Sequence, residues 1–447
     1  MEKITFIDLF AGLGGIRIGF EQAAQDLKLE TKCVFTSEIK ESALLALNTN
    51  FPNDNIVKSD ITVIKANEIP SFNILLGGFP CQAFSYAGKQ RGFTDTRGTL
   101  FFEIERILKH HLKNIDGFIL ENVEGLIVHD KENRSDNIGK TLTVILKVLR
   151  EKLGFNTDFV LADASNFGVP QARKRVFIVG CKKKYGFVNL EFTPQPTPQI
   201  KNCLEKNLKC IDNKFTQQLL SHFSVNELNG KFLKDKRGGV LNIHSWDFEY
   251  KGSVSPDQKK LLNMLFKQRR RKSWADLIGI DWMDGMPLTK SQIETFYPND
   301  NLQSLLDDLL EKHYLVLEHP KKKVVNVIDG NSYSERIPDT TLPKGYNIVT
   351  GKLSFPISNI LDVNKQAPTI VAMDMNTLGV VDGKGLRHLT LREGLRLFGY
   401  PETYSLDMFQ KENKSIRLGY DLLGNSVCVP VVKEVAKRLL TQVYGQL

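Results

Sequence analysis

The sequence lacks the long apolar stretches of a membrane protein. Its 447 residues contain no run of about 18 apolar residues. The first residues, Met-Glu-Lys and a short apolar run, do not resemble a secretory signal peptide. Cysteine is also scarce: the six cysteines are scattered, at positions 33, 81, 181, 203, 210 and 428. Because such unpaired spacing is typical of a reducing compartment, we predict a cytoplasmic protein that does not contact a membrane.

A metal-ligand pattern is missing as well. The histidines and cysteines of the middle region show no zinc spacing, so no metal site is predicted; they are His222, His244, Cys203 and Cys210. The composition is that of an ordinary globular protein, with 41% hydrophobic and 25% charged residues. The length favours two domains. Three prolines within Thr193–Pro198 predict a linker, since proline continues neither a helix nor a central strand.

Positive charge is in excess. The formal net charge of +9 favours a polyanionic partner such as nucleic acid, although many proteins without one are mildly basic. Three basic runs, Lys182–Lys184, Lys267–Lys272 and Lys321–Lys323, lie after residue 180, and so do the three tryptophans. A charge run is often only a solvated face. Three of them beside tryptophans favour contact with nucleic acid.

Five short apolar runs in the first 125 residues alternate with stretches of helical periodicity. The runs are Ile4–Leu9, Cys33–Thr36, Ile56–Val57, Ile74–Phe79 and Phe118–Leu120. This pattern predicts a buried, mostly parallel sheet in an α/β fold. Ligands of such sheets bind outside the carboxyl ends of the strands. We therefore expect the polar residues after the runs to converge on one rim; they are Gly12, Glu38, Asp60, Cys81 and Glu121.

The first of these positions predicts a nucleotide-like ligand. Gly12-Leu13-Gly14-Gly15 follows a strand and opens a helix, so backbone N–H groups at the helix start are accessible to a ligand. The third glycine of the dinucleotide fingerprint is missing. Glu38 could bind ribose hydroxyls and Asp60 an exocyclic amine. The alternative is a strand–turn–helix unit with purely structural glycines.

Cys81, in Pro80-Cys81-Gln82, is a candidate nucleophile. A lone cysteine is more often a small buried hydrophobe. Here the turn after a strand would expose the thiol, and Lys89, Arg91 and Arg97 follow it in a glycine-rich polar loop. These cations could lower the pKa of the thiol or bind phosphates.

Two further motifs carry charges at strand ends. Glu121, at the end of an apolar strand, is expected to have a raised pKa that suits proton donation, or else to cap the following segment. Arg173 and Arg175 alternate in Gln171-Ala172-Arg173-Lys174-Arg175. In an extended chain both would point to one side and could clamp an anion or a carbonyl oxygen. The alternative is a solvated strand start.

Taken in order, these motifs resemble those of the DNA (cytosine-5)-methyltransferases of bacterial restriction–modification systems. The set comprises Phe6–Gly15, Gly78–Gln82, Asp95–Leu100, Glu121–Val123, Gln171–Arg175 and Gly424–Val427. The resemblance covers roughly residues 1–185 and 365–447. The middle, about 190–365, corresponds to the variable target-recognition region of that family.

The resemblance implies a class I S-adenosylmethionine-dependent methyltransferase, a Rossmann-like α/β sheet with an inserted smaller target-recognition domain. The expected parts are a catalytic and cofactor-binding domain at 1–188, a target-recognition domain at 189–420, and a C-terminal segment at 421–447 that completes the catalytic domain. The helix after Val429 would pack beside the first strand.

The resemblance also implies roles for single residues. Cys81 would add to carbon 6 of a flipped-out cytosine, Glu121 would act at ring nitrogen 3, and Arg173 or Arg175 would bind the carbonyl oxygen at carbon 2. The loop after Cys81 would contact DNA through Gln82, Ser85 and Arg97. The S-adenosylmethionine pocket would be formed by Phe10 on the adenine, Glu38 on the ribose, Asp60 on the adenine amine, and Gly12, Gly14, Leu100 and Asn425.

Two other functions compete with this interpretation. A tRNA cytosine-5 methyltransferase would share the cysteine chemistry, but the long variable region suits a duplex groove. A catalytically silent nucleic-acid binder would not need the intact cysteine, glutamate and cofactor loop. We expect a monomer acting on duplex DNA. A restriction endonuclease would be paired with it functionally but not necessarily bound, and an enzyme without such a partner fits the sequence equally well.

Overall fold

A computed structural model describes residues 3–80, 100–131, 133, 135–328, 331–349, 355–372, 374–410 and 413–445. The chain divides into two compact units. The first comprises residues 1–206, 362–376 and 389–447, and the second comprises residues 207–361 and 377–388.

A seven-stranded sheet forms the centre of the first unit. Its strands are β1 (Ile4–Leu9), β2 (Thr31–Glu38), β3 (Ile56–Lys58), β4 (Ile74–Gly77), β5 (Gly117–Val123), β6 (Phe155–Asp163) and β7 (Lys174–Lys182). The spatial order is β3-β2-β1-β4-β5-β7-β6, and the first five strands pair in parallel. Only β7 runs against its neighbours β5 and β6 within this sheet. The predicted mostly parallel α/β fold is confirmed.

Helices alternate with the strands of this sheet along the chain. They are α1 (Gly15–Asp26), α2 (Glu41–Asn50), α3 (Leu100–His110), α4 (Gly125–Val128) and α5 (Lys140–Lys147), followed by a π turn at Val148–Lys152. On α3, Ile104 and Ile107 recur at helical spacing and are fully buried. They join one core cluster with Leu75 and Leu120 of the central strands. The apolar spacing read from the sequence thus defines the inner helix faces.

The second unit is built from short elements. Its helices are α6 (Lys214–His222), α7 (Val225–Leu228), α8 (Pro256–Gln268), α9 (Lys272–Ile278), α10 (Lys290–Glu294) and α11 (Leu302–Glu311). Its strands are β8 (Phe232–Leu233), β9 (Asn242–Ile243), β10 (Leu315–Glu318), β11 (Lys321–Ile328), β12 (Asn331–Pro338), β13 (Gly345–Ile348), β14 (Asn359–Ile360), β15 (Leu378–Asp382) and β16 (Gly385–His388). They form a five-stranded sheet, β16-β15-β14-β8-β9, and two antiparallel pairs, β10–β13 and β11–β12.

The basic run Lys267–Lys272 is divided between the core and the surface of this unit. Arg269 is only 2% exposed, and its Nη1 donates to Asn347 Oδ1 over 2.6 Å. Burial lowers its pKa to about 10. Lys267, Arg271 and Lys272 are exposed. The run is therefore not a uniform charged face, because one of its arginines is part of the packing.

Three helices near the C-terminus return to the first unit: α12 (Leu391–Leu397), α13 (Asn413–Gly424) and α14 (Val429–Tyr444). Helix α14 packs chiefly on α1. Gly19 permits this close approach, since a Cβ there would lie 2.6 Å from Val432 Cβ. The expected position beside the first strand is corrected: α14 lies against the helix that follows that strand.

The predicted domain boundaries also differ from the units observed. Residues 389–420 group with the first unit rather than with the inserted one, because α12 packs against α13. The first segment of the first unit ends at residue 206, and not near residue 188 as predicted. The proline-rich segment at 193–198 is bound to the first unit, where Gln195 N donates to Asn166 O over 2.8 Å and Thr197 Oγ1 to Ser165 O over 2.7 Å.

Candidate active site

The loop after β1 has the backbone of a ligand-binding turn. Phe10, Gly12 and Gly14 have φ values of 57°, 56° and 71°, in the left-handed region. That conformation is costly for phenylalanine, and such strain is concentrated at functional sites. A Cβ at Gly12 would have no atom of the described residues within 4 Å, so that among them space is free over the loop. This space suits a ligand placed against the backbone.

Glu38, at the carboxyl end of β2, closes this loop. Its Oε2 accepts a hydrogen bond of 2.8 Å from Gly12 N, and its Oε1 accepts from the backbone N–H groups of Ile39 and Lys40. Two motifs 26 residues apart are thus joined by one carboxylate. The Lys40 side chain forms an ion pair with Asp421 on α13.

The other predicted cofactor residues have local partners. Asp60 is exposed two residues beyond β3, and its Oδ1 accepts from both N and Oγ1 of Thr62 at 2.9 Å. Leu100 begins α3 and packs, half-buried, on the core. Asn425 follows α13, and its Nδ2 donates to Asp421 O over 2.8 Å. Because Asp421 also pairs with Lys40, the Asn425 turn is tied to the residues after Glu38.

Asp8 is a charged residue that the sequence analysis did not single out. It lies in β1, one residue before Leu9, and is fully buried. Within the described residues, neither of its carboxylate oxygens has a hydrogen-bond partner. Burial raises its pKa to about 7, while the Arg17 guanidinium opposes the shift and Glu21 and Glu38 add to it. An aspartate inside the apolar run Ile4–Leu9 was the available signal.

Asp8 should make the stability of the protein depend on pH. Because its pKa is raised from 3.8 to about 7, its contribution is fully present below about pH 4 and is lost as pH rises through 7. This difference in the pKa of Asp8 between the unfolded and folded states corresponds to about 4 kcal/mol in the free energy of unfolding. Between pH 4 and pH 8, the free energy of unfolding of Asp8→Asn should rise by about that amount relative to the wild type. Urea unfolding at a series of pH values measures this difference. A constant difference between the two proteins would contradict a buried, titrating carboxyl group.

Glu121 lies at the centre of the second group of predicted residues. Its carboxylate is 12% exposed, and its Oε1 lies 3.1 Å from Arg175 Nε. A Cβ at Gly78 would lie 3.4 Å from its Oε2. The neighbouring Asn122 donates from Nδ2 to Phe79 O over 3.2 Å. The end of β5 is therefore attached to the segment that leads to Cys81.

Four predicted residues fall on a part of the chain that the structure does not describe. Cys81, Gln82, Ser85 and Arg97 lie between residues 81 and 99. Pro80, the last described residue before them, follows β4, and Leu100 begins α3 immediately after them. The segment that leads from the carboxyl end of β4 to Cys81 thus passes Glu121 at Gly78.

The electrostatic environment of Glu121 favours its protonated form. Burial is the largest effect and raises the pKa of the carboxyl group, whereas Arg175 and Arg173 act in the opposite direction. The net shift is upward. A carboxyl group in this state retains a proton closer to neutral pH than an exposed glutamate does.

The two arginines of the same motif have different partners. Arg173 is 2% exposed, and its Nη atoms donate to the backbone oxygens of Ile370, Gly424 and Ser426 over 2.6–3.0 Å. Arg175 instead lies beside Glu121. Both line a cavity of about 10 Å³ together with Cys428. Of the two arginines, Arg175 forms the ion pair with the glutamate.

Arg173→Met should therefore destabilise the fold more than Arg175→Met does. The first change leaves three carbonyl groups without their charged donor, which we expect to cost about 3 kcal/mol or more in the free energy of unfolding. The second should cost less, because Glu121 can take up a proton once its cationic partner is removed, so that no unpaired charge stays buried. Urea unfolding of both variants measures the difference. Equal losses would show that Arg173 does not hold these chain segments together.

In the part of the chain that the structure describes, no group of three or more His, Cys, Asp or Glu side chains is arranged to hold a metal ion. None of its helices combines the length and the apolar character needed to cross a bilayer.

Comparison with known proteins identifies the family of this chain. The family model for C-5 cytosine-specific DNA methylases matches residues 4–441. The chain belongs to this family. The methylase is 55% identical over 440 residues to the type II methyltransferase M.NlaIV of Neisseria lactamica, covering 98% of this chain and 99% of that one. It is 54% identical to M.NgoBV of Neisseria gonorrhoeae, with the same coverage.

A solved structure shows the same fold. The methylase superimposes on a putative DNA modification methyltransferase encoded within an E. coli prophage, with a TM-score of 0.51, 19% identity, and coverage of 98% of this chain and 99% of the other. The predicted reaction class is confirmed: the chain is a DNA (cytosine-5)-methyltransferase. This sets aside both the tRNA methyltransferase and the silent binder.

Proposed function

We propose that this methylase modifies one cytosine within a short specific sequence of duplex DNA, as the modification enzyme of a type II restriction–modification system. The observation that carries the chemistry is the position of Glu121. A mostly buried carboxyl group of raised pKa lies beside Arg175 and beside the strand end that leads to Cys81. A hydrogen-bond donor and a cation side by side would suit nitrogen 3 and the carbonyl oxygen of a cytosine ring.

The proposed reaction begins with the cytosine extruded from the duplex, because the enzyme cannot reach it inside the stack. The Cys81 thiolate bonds to carbon 6, and Glu121 supplies a proton at nitrogen 3, so that electron density moves to carbon 5. Arg175 stabilises the carbonyl oxygen at carbon 2, since Arg173 is already committed to backbone oxygens. After methylation at carbon 5, nitrogen 3 returns its proton to the Glu121 carboxylate and carbon 5 gives its proton to a solvent water. The carbon 5–carbon 6 double bond then re-forms as the bond from sulfur to carbon 6 breaks, which regenerates the thiolate.

The loop after β1 fits S-adenosylmethionine. Free space lies over Gly12, Phe10 is held in a strained conformation beside it, and Glu38 is fixed at the adjacent strand end. When bound, S-adenosylmethionine supplies an electrophilic methyl group. Glu38 would hold the ribose hydroxyls and Asp60 the adenine amine. Leu100 and Asn425 would line the pocket. Gly12 would leave room for the ligand, and Gly14 would shape the loop by allowing its close approach to Phe51.

The proposal extends to the DNA contacts, the oligomeric state and the paired endonuclease. Gln82, Ser85 and Arg97 would contact the DNA around the extruded base, and the second unit would provide target recognition. The enzyme would act as a monomer in the cytoplasm. It would protect host DNA from an endonuclease that recognises the same sequence, without a need for the two proteins to bind each other.

Methyl transfer tests this function directly. The purified protein, S-adenosylmethionine with a labelled methyl group, and either genomic duplex DNA or tRNA should give label in the DNA only. Base-resolved sequencing for 5-methylcytosine should then reveal one short recurrent sequence. Label in tRNA, or methylation without sequence preference, would contradict the proposal.

A further inference from the structure

The glycine loop after β1 depends on support from outside itself. Phe10 has a left-handed backbone conformation, which is costly for a residue that carries a side chain. Gly14 is the N-cap of α1 and, as a glycine, has no side chain with which to cap the helix. The loop therefore needs contacts from other segments to keep the conformation that it has in this structure.

Tyr404 supplies such a contact from 391 residues away. It lies between α12 and α13, is 3% exposed, and donates from its hydroxyl to Leu13 O over 2.8 Å. The N–H of the same peptide group, Gly14 N, donates to Ala11 O over 2.7 Å. Both polar atoms of the peptide group between Leu13 and Gly14 are thus bonded, one within the loop and one to Tyr404. The hydroxyl fixes the orientation of this peptide group.

The position of Tyr404 is itself set by the end of α2. Asn50 Oδ1 accepts from Ser405 N over 2.8 Å, and Asn50 Nδ2 donates to Ser405 O over 2.9 Å. The Phe51 ring meets the Tyr404 ring edge-on, with the two centroids 6.4 Å apart. Arg392 Nη2 donates to Tyr404 O over 2.8 Å. Tyr404 is therefore a fixed point to which the loop is bonded.

Phe51 connects this fixed point to the helix that follows the loop. A Cβ at Gly14 would lie 2.9 Å from Phe51 Cε2, so the ring and the loop backbone are in close contact. The Arg17 guanidinium, in the first turn of α1, lies 3.8 Å from the centroid of the Phe51 ring. The loop thus has two supports from distant segments. One is the Glu38 carboxylate, and the other is the aromatic pair of Phe51 and Tyr404.

From these contacts we propose that Tyr404 is a positioning residue for S-adenosylmethionine, whose hydroxyl holds the glycine loop in the binding conformation before the cofactor binds. The inference rests on the proposed binding of S-adenosylmethionine at this loop. Without the bond to Leu13 O, the strain at Phe10 favours other loop conformations. Restoring the binding conformation would then cost part of the binding free energy, so the affinity falls. Because Tyr404 acts through the loop, the methyl-transfer step should not change once the cofactor is bound.

Calorimetric titration of the full chain with S-adenosylmethionine tests this role. Tyr404→Phe keeps the ring and removes only the hydroxyl. Its Kd for S-adenosylmethionine should rise about three- to tenfold, the loss expected for one hydrogen bond. The KM for S-adenosylmethionine should rise by the same factor, whereas kcat and the KM for DNA should change little. A Kd equal to that of the wild type would overturn the inference.

Tyr297→Phe is the matched control. Tyr297, in the second unit, is 5% exposed, and its hydroxyl donates to Asp257 O over 3.0 Å. This variant also loses one hydrogen bond from a buried tyrosine to a backbone oxygen, so its stability should fall to a similar extent. Its Kd for S-adenosylmethionine should stay at the wild-type value. An equal rise of Kd in both variants would show that the affinity follows general stability and would refute the positioning role.

Hydrogen exchange in the cofactor-free protein measures the loop directly. The backbone amides of residues 10–16 should exchange faster in Tyr404→Phe than in the wild type, since the loop opens more often. Tyr297→Phe should exchange like the wild type in this segment. Addition of S-adenosylmethionine should slow the exchange of residues 10–16 in all three proteins. Unchanged exchange in Tyr404→Phe would contradict a loop that is held by the hydroxyl.

Titration of the wild-type protein distinguishes failure of the cofactor site from failure of the positioning role. If the wild type binds no S-adenosylmethionine, the proposed cofactor site fails, and the role of Tyr404 fails with it. If the wild type binds it and Tyr404→Phe binds it equally well, only the positioning role fails.

Discussion

Cys81→Ala should abolish methyl transfer while leaving DNA binding close to that of the wild type. The thiolate is the only group in the proposed mechanism that bonds to the cytosine, and without it carbon 5 remains a poor nucleophile. Turnover with labelled S-adenosylmethionine should fall below detection. A DNA affinity measured in parallel should change little, since the loss concerns bond formation rather than the contacts along the duplex.

The matched control is Cys33→Ala, which removes a thiol that cannot take part. Burial raises the pKa of Cys33 to about 11, so that it stays protonated near neutral pH. This variant should retain activity. A duplex with 5-fluorocytosine at the target position should trap the wild-type enzyme as an adduct on Cys81, identified by mass spectrometry. An adduct on another side chain, or turnover by Cys81→Ala, would remove the proposed nucleophile.

Glu121→Gln should slow methyl transfer by about two to four orders of magnitude, the usual contribution of a positioned general acid. The amide keeps the shape of the side chain but cannot give a proton to nitrogen 3. Because burial raises the pKa of the Glu121 carboxyl group, the wild-type rate should decline once pH exceeds that pKa. This alkaline decline should be absent from the rate profile of the variant.

Glu124→Gln is the corresponding control. Glu124 lies three residues further along, is 46% exposed, and is 4.0 Å from Lys174. Its replacement should leave both the rate and the pH profile nearly unchanged. Equal effects of the two substitutions would show that the end of β5 has only a structural role, and an unchanged rate for Glu121→Gln would exclude the proton donor.

The sequence predicted the first unit well where the pattern is local. The apolar runs of β1 to β5 and the helical spacing on α3 and α5 depend on neighbours within a few residues, and the structure has all of them. The contact between the glycine loop and Glu38 also followed, because parallel strands place their carboxyl ends at one edge. In the second unit, whose elements are short, no such regular pattern was available.

Arg175 illustrates what the local pattern could not give. It lies at the start of β7, which in a parallel strand would be at the edge opposite the site. Since β7 runs antiparallel to β5, Arg175 pairs with Val123 and reaches Glu121. The same sequence signal describes Arg173, yet its partners are backbone oxygens up to 253 residues away. Strand direction and long-range contacts assign the two arginines different roles.

The amino-acid sequence by itself determined the fold class and the reaction family. These depend on periodicity and on short ordered motifs. Only the tertiary structure decided that residues 389–420 belong to the first unit, that Asp8 is a buried carboxyl group, and that Arg270 and Arg336 are both hydrogen-bonded to Trp282. The physical reason is that burial and pairing between distant segments arise from packing, which no local window of sequence encodes.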